Sequence, residues 1–252
     1  MSKNSIGLVA HFVAGYPSLE ASFEVAMGLV AGGATALEMQ IPYSDPSADG
    51  PVIEKACAQS LAGGFRVDEA FALAKRITEA TDVPLFVMSY AGLVYARGIT
   101  RFTQDAAQAG VMGLIVPDLV PGADEGFFAA AAAAGCPGVP VLVTDVSEQR
   151  LQEILHEPAQ WLYVALRRGV TGAYTELDVA QKKFLGALRQ REGERHQVMA
   201  GFGIREYSQV QILEGLVDAV VAGTALVSSV AAHPGEERMA AQNAAAHILG
   251  QK

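Results

Sequence analysis

Eight short apolar runs rich in β-branched residues alternate along the chain with alanine-rich segments of helical period. This alternation is typical of repeated βα units, in which each parallel strand is followed by a helix. The runs begin at residues 6, 36, 84, 112, 138, 161, 197 and 218. Eight units in about 250 residues, with no linker between them, predict an α/β fold with a single (β/α)8 (TIM) barrel domain. Because periodicity cannot show that a sheet closes, a doubly wound open sheet stays the alternative.

The charge and composition of the chain narrow the partners it can have. A net charge of −9 disfavours nucleic acid and anionic membranes, which both bind basic surfaces, while a small anionic substrate stays possible. Cys57 and Cys136 are too few for a disulfide framework, and no apolar run reaches the ~20 residues of a membrane span. The N-terminal segment also lacks the pattern of a signal peptide. We therefore expect a cytoplasmic protein that acts on a small molecule.

The stretch ALEMQIPYSDPSADGPVI places a glutamate inside an apolar run and two aspartates in the loop that follows. In a barrel of this kind, chemistry takes place at the C-terminal ends of the strands. If Leu37 and Met39 face the helices, alternation directs Glu38 into the barrel mouth. A carboxylate buried there is a candidate general acid or base, and a structural glutamate bonded to the neighbouring strand is an equal alternative. Taken alone, Asp45 and Asp49 are better explained as turn formers.

Three glycine clusters follow the last three predicted strands: RRGVTGAY, AGFGIRE and VAGTALV. Phosphate sites in these barrels are commonly built by the loops after strands seven and eight, with a helix N-terminus that favours an anion. Glycine lets the backbone N–H groups approach the phosphate closely. The sequence therefore predicts a phosphate site at Gly203, Gly223 and Thr224.

The rest of the chain supplies no evident electron sink for breaking a carbon–carbon bond, such as a reactive lysine or a metal. Lysines fall in helical segments or at the termini, and the five histidines are scattered. His11, in the first strand, is therefore interpreted as a packed strand residue. Carboxylates, backbone amides and hydroxyls such as those of Tyr90, Tyr163 and Thr171 remain, so we expect a substrate that is its own electron sink.

At this point the motif LEMQIPYSDPSADGPVI resembles the signature of the tryptophan synthase alpha subunit family. That signature runs approximately L-E-L-G-[IV]-P-[FY]-S-D-P-x-A-D-G-P-x-I. The stretches FVAGYPS, SYAGLVYARG, VPDLVP, RRGVTGA, AGFGI and VAGTALV occur in the family's order, so the resemblance covers nearly the whole chain. It implies a lyase of tryptophan biosynthesis that cleaves indole-3-glycerol phosphate to indole and glyceraldehyde 3-phosphate. The indole ring, protonated at C3, is then the electron sink.

The same resemblance implies a role for each matching residue. Glu38 is the acid/base that protonates C3 and helps to take the glycerol hydroxyl proton, and Asp49 holds the indole N–H. Thr171 orients that aspartate when the glycine loop closes as a lid, Tyr163 lines the substrate site, and Asp45 faces the beta subunit. The phosphate-binding positions are Gly172, Gly203, Gly223 and Thr224. No cofactor is expected in this chain, because pyridoxal phosphate belongs to the beta subunit of a heterotetramer.

Four positions depart from the family's pattern. Gln40 stands where glycine is usual, Gly92 where asparagine is usual, Arg168 where serine is usual, and His11 where an apolar or aromatic residue is usual. The chain also begins about one short helix later than is common. These departures predict a divergent member with altered loop closure, partner contact or substrate pocket.

Arg168 and the type of protein each leave alternatives open. Arg168 is either a solvated loop residue or a partner for the phosphate or Asp45 that favours lid closure. The chain is an enzyme subunit that passes indole to a beta subunit, a weakly active or inactive regulatory subunit of that partner, or a stand-alone lyase that releases indole.

Overall fold

One sheet of parallel strands organises the computed structural model, which describes residues 6–166, 177–192, 195–201 and 203–251. The strands are numbered in chain order, and their order within the sheet is β5-β4-β3-β2-β1-β9-β8-β7-β6. They are β1 (Gly7–Val13), β2 (Ala36–Gln40), β3 (Leu85–Met88), β4 (Gly113–Ile115), β5 (Gly138–Val139), β6 (Val141–Val143), β7 (Trp161–Ala165), β8 (Gln197–Gly201) and β9 (Ala219–Ala222).

The two ends of this sheet are the two halves of the predicted fifth strand. β5 pairs with β4, and β6 pairs with β7, while Pro140 lies between them. Proline has no backbone N–H, so the ladder is interrupted at that residue. The sheet is therefore closed through the chain itself, which confirms the (β/α)8 barrel over the doubly wound sheet. The described residues contain nine strands where eight were predicted, because the proline divides one of them.

Helices follow the strands in the alternation that the sequence predicts. Within the described residues they are α1 (Leu19–Ala31), α2 (Pro51–Ala62), α3 (Val67–Ala80), α4 (Ala91–Arg97), α5 (Ile99–Gln108), α6 (Phe127–Ala134), α7 (Glu148–Leu155), α8 (Val179–Glu192), α9 (Tyr207–Leu213), α10 (Thr224–Ala232) and α11 (Glu237–Ile248). Among the helices of these described ranges, none has the length and apolar character of a membrane-spanning segment.

Side chains on the strands divide between two apolar layers, as alternation requires. Leu37 and Met39 pack in the large layer between the barrel and the helices, as predicted. Ala36 packs in the smaller layer inside the barrel. Glu38 has the same phase as Ala36, and its register partners are His11 on β1 and Phe86 on β3. The register thus directs Glu38 and His11 together into the barrel mouth.

Candidate active site

A cavity of about 640 Å³, measured out to its open mouth, lies at the C-terminal ends of the strands. Its polar lining comes from β1, β2 and the loop after it, β7, and the loops after β8 and β9. These are the positions at which catalytic groups of such barrels are found. The lining residues are His11, Glu38, Ala48, Asp49, Ile53, Met88, Ile115, Pro117, Val141, Tyr163, Gly203, Ile204, Arg205, Val221, Gly223 and Thr224.

His11 and Glu38 form a buried pair in this cavity. His11 Nδ1 lies 2.6 Å from Glu38 Oε1, and each residue is only 4% exposed. Burial is the largest influence on His11 and lowers its pKa, but the hydrogen bond to Glu38 and the charges of Glu38 and Asp49 together raise the pKa above its ordinary value. His11 Nε2 and Glu38 Oε2 have no hydrogen-bond partner among the described residues. Both atoms are therefore available to a molecule in the cavity.

Asp49 is held by two donors on one oxygen. Gln40 Nε2 donates to Asp49 Oδ2 at 2.6 Å, and the Tyr90 hydroxyl donates to the same oxygen at 2.8 Å. Burial, the largest cause, raises the pKa of Asp49, and nearby Glu38 adds to this. His11, Gln40 and Tyr90 favour the ionised form and offset part of the rise. The clamp thus fixes the orientation of the carboxyl group and supports its charge in a buried place.

The loops after β8 and β9 offer backbone groups to an anion. Gly203 has a φ of +93°, a left-handed conformation that favours glycine. Gly223 is the N-cap residue of α10 and has no side chain that could bond the first N–H groups of that helix. Those N–H groups and the helix dipole favour an anion. Arg205 is exposed at the edge of the same cavity and adds a cation.

The structure places most of the predicted site residues together. Glu38, Asp49 and Tyr163 line the cavity, as do Gly203, Gly223 and Thr224. Tyr163 is buried, and burial together with Glu38 and Asp49 raises the pKa of its hydroxyl well above the ordinary value. Asp45 does not line the cavity: it is exposed and accepts a hydrogen bond from the Ser44 hydroxyl at 2.6 Å. The predictions for Arg168, Thr171 and Gly172 lie outside the described residues.

Sequence reasoning missed three contributors to the site: His11, Gln40 and Arg205. The interpretation of His11 as a packed strand residue is incomplete, because its ring bonds Glu38 and lines the cavity. Gln40 follows Glu38 by two residues, so alternation could have placed both on one face. For His11 such a signal is absent, since the contact depends on the register between β1 and β2.

Gly92 is the remaining position within the described residues that departs from the family's pattern. It lies beside Tyr43, which in turn contacts one of the two donors to Asp49. A Cβ atom at Gly92 would lie 2.5 Å from the Tyr43 hydroxyl oxygen. The Tyr43 ring stacks on Tyr90 with 5.3 Å between ring centroids, and Tyr90 donates to Asp49. Glycine at this position therefore leaves room for the tyrosine pair that holds Asp49.

A parallel barrel with buried carboxylates and a helix N-terminus in one cavity at the C-terminal ends of its strands is typical of a TIM-barrel enzyme. The sequence profile of one family, described as "Tryptophan synthase alpha chain", matches residues 1–251. The chain belongs to the tryptophan synthase alpha chain family, whose members are lyases of tryptophan biosynthesis. The resemblance seen in the motifs is thereby confirmed.

Individual relatives agree with this family. The tryptophan synthase alpha chain of Desulfotalea psychrophila is 38% identical over 223 residues, covering 88% of this chain and 87% of that one. The chain of the same name from Helicobacter hepaticus is 37% identical over 226 residues, covering 87% and 84%.

Solved structures show the same fold. Tryptophan synthase of Mycobacterium tuberculosis superposes with a TM-score of 0.86 at 29% identity, covering 97% of this chain and 91% of that one. A chain of the tryptophan synthase a2b2 complex from Pyrococcus furiosus gives a TM-score of 0.87 at 27% identity, covering 99% and 100%.

Proposed function

We propose that this cavity binds indole-3-glycerol phosphate and cleaves it to indole and glyceraldehyde 3-phosphate, the lyase reaction of the family. In this reaction C3 of the indole ring takes up a proton. The bond between C3 and the glycerol carbon then breaks, and its electron pair stays with the ring. The glycerol hydroxyl loses its proton and becomes the aldehyde. The protein's task is to position the substrate and to move these two protons.

The phosphate binds at the loops after β8 and β9. Backbone N–H groups at Gly203, Gly223 and Thr224 donate to it, and Arg205 supplies a positive charge. Gly172 belongs to the same set by its motif. Tyr163 and the apolar lining of the cavity surround the indole ring.

Asp49 binds the indole N–H and offsets the positive charge that develops on the ring. Its clamp by Gln40 and Tyr90 holds the carboxyl group in one orientation before the substrate arrives. Preorganised charge of this kind stabilises a transition state without further rearrangement. Thr171 orients Asp49 further when the lid closes.

Glu38 exchanges protons with the substrate. The observation that carries this proposal is its Oε2 atom: it is buried in the cavity, and no described residue bonds it. Leaving such an acceptor unpaired costs about 1–3 kcal/mol, which a substrate hydroxyl in the cavity would recover.

The proposal includes a beta subunit as partner. The Pyrococcus furiosus relative belongs to an a2b2 complex, and the exposed loop with Asp45 is available for such a contact. The beta subunit would hold the pyridoxal phosphate and take up the indole, and this chain itself would need no cofactor. Closure of the lid, with Arg168 on one loop, would retain the indole. We place the reaction in the cytoplasm.

Indole release from indole-3-glycerol phosphate tests the proposal, measured with and without a beta subunit. Glu38→Gln keeps the size of the side chain but cannot exchange the proton, so kcat should fall ~10²-fold or more. Glu79→Gln on the exposed face of α3 is the matched control and should leave kcat unchanged. Near-normal turnover by Glu38→Gln would refute the assignment. Release of indole by the wild-type chain alone would contradict the alternative of an inactive regulatory subunit.

A further inference from the structure

The His11–Glu38 pair has two hydrogen-bonding atoms that face the cavity, one on each residue. His11 Nδ1 and Glu38 Oε1 bond each other at 2.6 Å, so the two nitrogens and two oxygens are not equivalent. The other two atoms, His11 Nε2 and Glu38 Oε2, are buried and have no partner among the described residues. Both residues line the cavity, so both atoms can contact a bound substrate.

The proton count of the pair determines what these two atoms do. When the pair is uncharged overall, the shared proton lies either on Nδ1, as an imidazolium beside a carboxylate, or on Oε1, as a carboxylic acid beside a neutral ring. In both arrangements Nε2 carries a proton and Oε2 carries none. The uncharged pair therefore presents one donor and one acceptor to the cavity, whether the shared proton lies on Nδ1 or on Oε1.

Resting on the proposed function, we propose that His11 is a second catalytic residue, whose Nε2–H protonates C3 while Glu38 Oε2 takes the glycerol hydroxyl proton. C3 then bears the new C–H bond, and the C3–glycerol carbon bond breaks with its electrons moving into the ring. The hydroxyl oxygen becomes the aldehyde oxygen. The pair ends with a proton on Oε2 and none on Nε2, so its total is unchanged. Exchange with water after product release restores the starting arrangement.

The surroundings of His11 favour the protonated form of its ring. The titratable residues that face it around the cavity are Glu38 on β2, Asp49 in the loop after β2, Tyr163 on β7 and Arg205 after β8. The hydrogen bond to Glu38 and the charges of Glu38 and Asp49 raise the pKa of His11 despite its burial. Directly after β9, Gly223 packs against the ring, since a Cβ there would lie 3.3 Å from two ring carbons. A larger residue at that position would displace the imidazole.

Nitrogen NMR of the histidine rings tests the pair without reference to activity. In protein labelled on histidine, the His11 signals are assigned by their loss in His11→Phe. We expect Nε2 to be protonated near neutral pH in the wild type, and the pKa of the ring to fall in Glu38→Gln. An unprotonated Nε2 at that pH, or a ring titration that Glu38→Gln leaves unchanged, would overturn the proposal.

Kinetics test the catalytic role. His11→Phe preserves an aromatic ring in the barrel and should lower kcat ~10²-fold with KM changed by less than ~3-fold. The double variant with Glu38→Gln should be no slower than the slower single variant, because the two residues act as one unit. His247→Phe on the exposed face of α11 is the control and should keep wild-type kinetics.

The outcomes separate the two proposals. Wild-type protein that releases no indole, alone or with a beta subunit, would refute the proposed function, and the NMR result would still decide the proton count of the pair. Normal kcat in a folded His11→Phe alongside a slow Glu38→Gln would leave the proposed function standing and overturn the role of His11.

Discussion

Two walls of the cavity are built by different means. The proposed acid–base wall, formed by His11, Glu38, Gln40 and Asp49, depends on side chains that meet across β1, β2 and the following loop. The proposed anion wall, formed by Gly203, Gly223 and Thr224, depends on backbone conformation and on the start of α10. Side-chain contacts can be rearranged by single substitutions, whereas backbone geometry restricts the residue type at each position.

The departures from the family's pattern are distributed accordingly. Those within the described residues concern the acid–base wall: His11 bonds Glu38, Gln40 bonds Asp49, and Gly92 makes room for the tyrosines behind Asp49. Each of these three residues contacts Glu38 or Asp49, the two proposed catalytic carboxylates, either directly or through Tyr43 and Tyr90. None of the four departures falls at Gly203, Gly223 or Thr224, the residues of the proposed anion wall.

Beyond Glu38→Gln and His11→Phe, the largest effect is expected from Asp49→Asn on the acid–base wall. Asparagine keeps the shape and can still accept from Gln40 and Tyr90, but it carries no charge to offset the positive ring. We expect kcat to fall ~10²-fold, as for loss of one preorganised electrostatic group, with the melting temperature little changed. Steady-state kinetics and thermal unfolding measure both. Asp82→Asn, an exposed aspartate away from the cavity, is the control, and equal kcat for the two variants would contradict the assignment.

The residues of the proposed anion wall could be singled out from the sequence more directly than the contacts of the proposed acid–base wall. Glycine clusters after the last strands can be recognised in the sequence alone, because each acts through its own backbone. The pair of His11 and Glu38 depends on the β1–β2 register: a slip of two residues would set His11 beside Ala36. The division of the fifth strand at Pro140 depends likewise on which neighbour each half pairs with.

The next effect is expected on the anion wall, from Gly203→Val. A β-branched residue at a φ of +93° costs about 1–3 kcal/mol and displaces the N–H groups of the loop. We expect KM for indole-3-glycerol phosphate to rise ~10-fold, equivalent to about 1.4 kcal/mol of binding, with kcat within ~3-fold.

Gly215→Val provides the matched control for this strain. Gly215 also has a positive φ, +77°, but it lies in an exposed turn after α9 with nothing within 4 Å of an added Cβ. Both variants should lose stability, and only Gly203→Val should lose affinity for inorganic phosphate. Equal phosphate affinities of the two variants would show that the anion does not bind at Gly203.

A smaller effect is expected from Gln40→Met, which keeps the length of the side chain and removes its donor. The hydrogen bond from Gln40 favours ionised Asp49, so its loss should raise the pKa of Asp49 further above its ordinary value. The acid limb of the kcat profile should then move to higher pH. Activity should fall several-fold, ~3-fold or more, on the acid side and stay unchanged on the alkaline side.

Tyr90→Phe removes the other donor to the same oxygen and should move the acid limb in the same direction. If Tyr90→Phe shifts the limb and Gln40→Met does not, the bond from Gln40 has no effect on the charge of Asp49. The ionised form of Asp49 would then be favoured by the hydrogen bond from Tyr90 alone.

The smallest effect is expected from Gly92→Ala. In the helix α4, alanine is favoured over glycine by about 0.5–1 kcal/mol, so the substitution should stabilise the protein if nothing else changes. The added methyl would instead lie 2.5 Å from the Tyr43 hydroxyl oxygen. We therefore expect a net loss of about 1 kcal/mol, visible as a fall of roughly 2–4 °C in melting temperature.

Tyr43→Phe reverses the expected sign, because it removes that oxygen and leaves the ring carbon Cζ as the nearest atom, at 3.1 Å. In this background Gly92→Ala should be neutral or stabilising, a coupling of about 1–2 kcal/mol between two residues in contact. Thermal unfolding of the two single variants and the double variant measures it. Gly92→Ala should also lower kcat slightly in the wild-type background, since the displaced Tyr43 disturbs the stacked Tyr90 that donates to Asp49. If Gly92→Ala stabilised the protein equally in both backgrounds, Gly92 and Tyr43 would be energetically independent. Gly92 would then have no effect on the residues that hold Asp49.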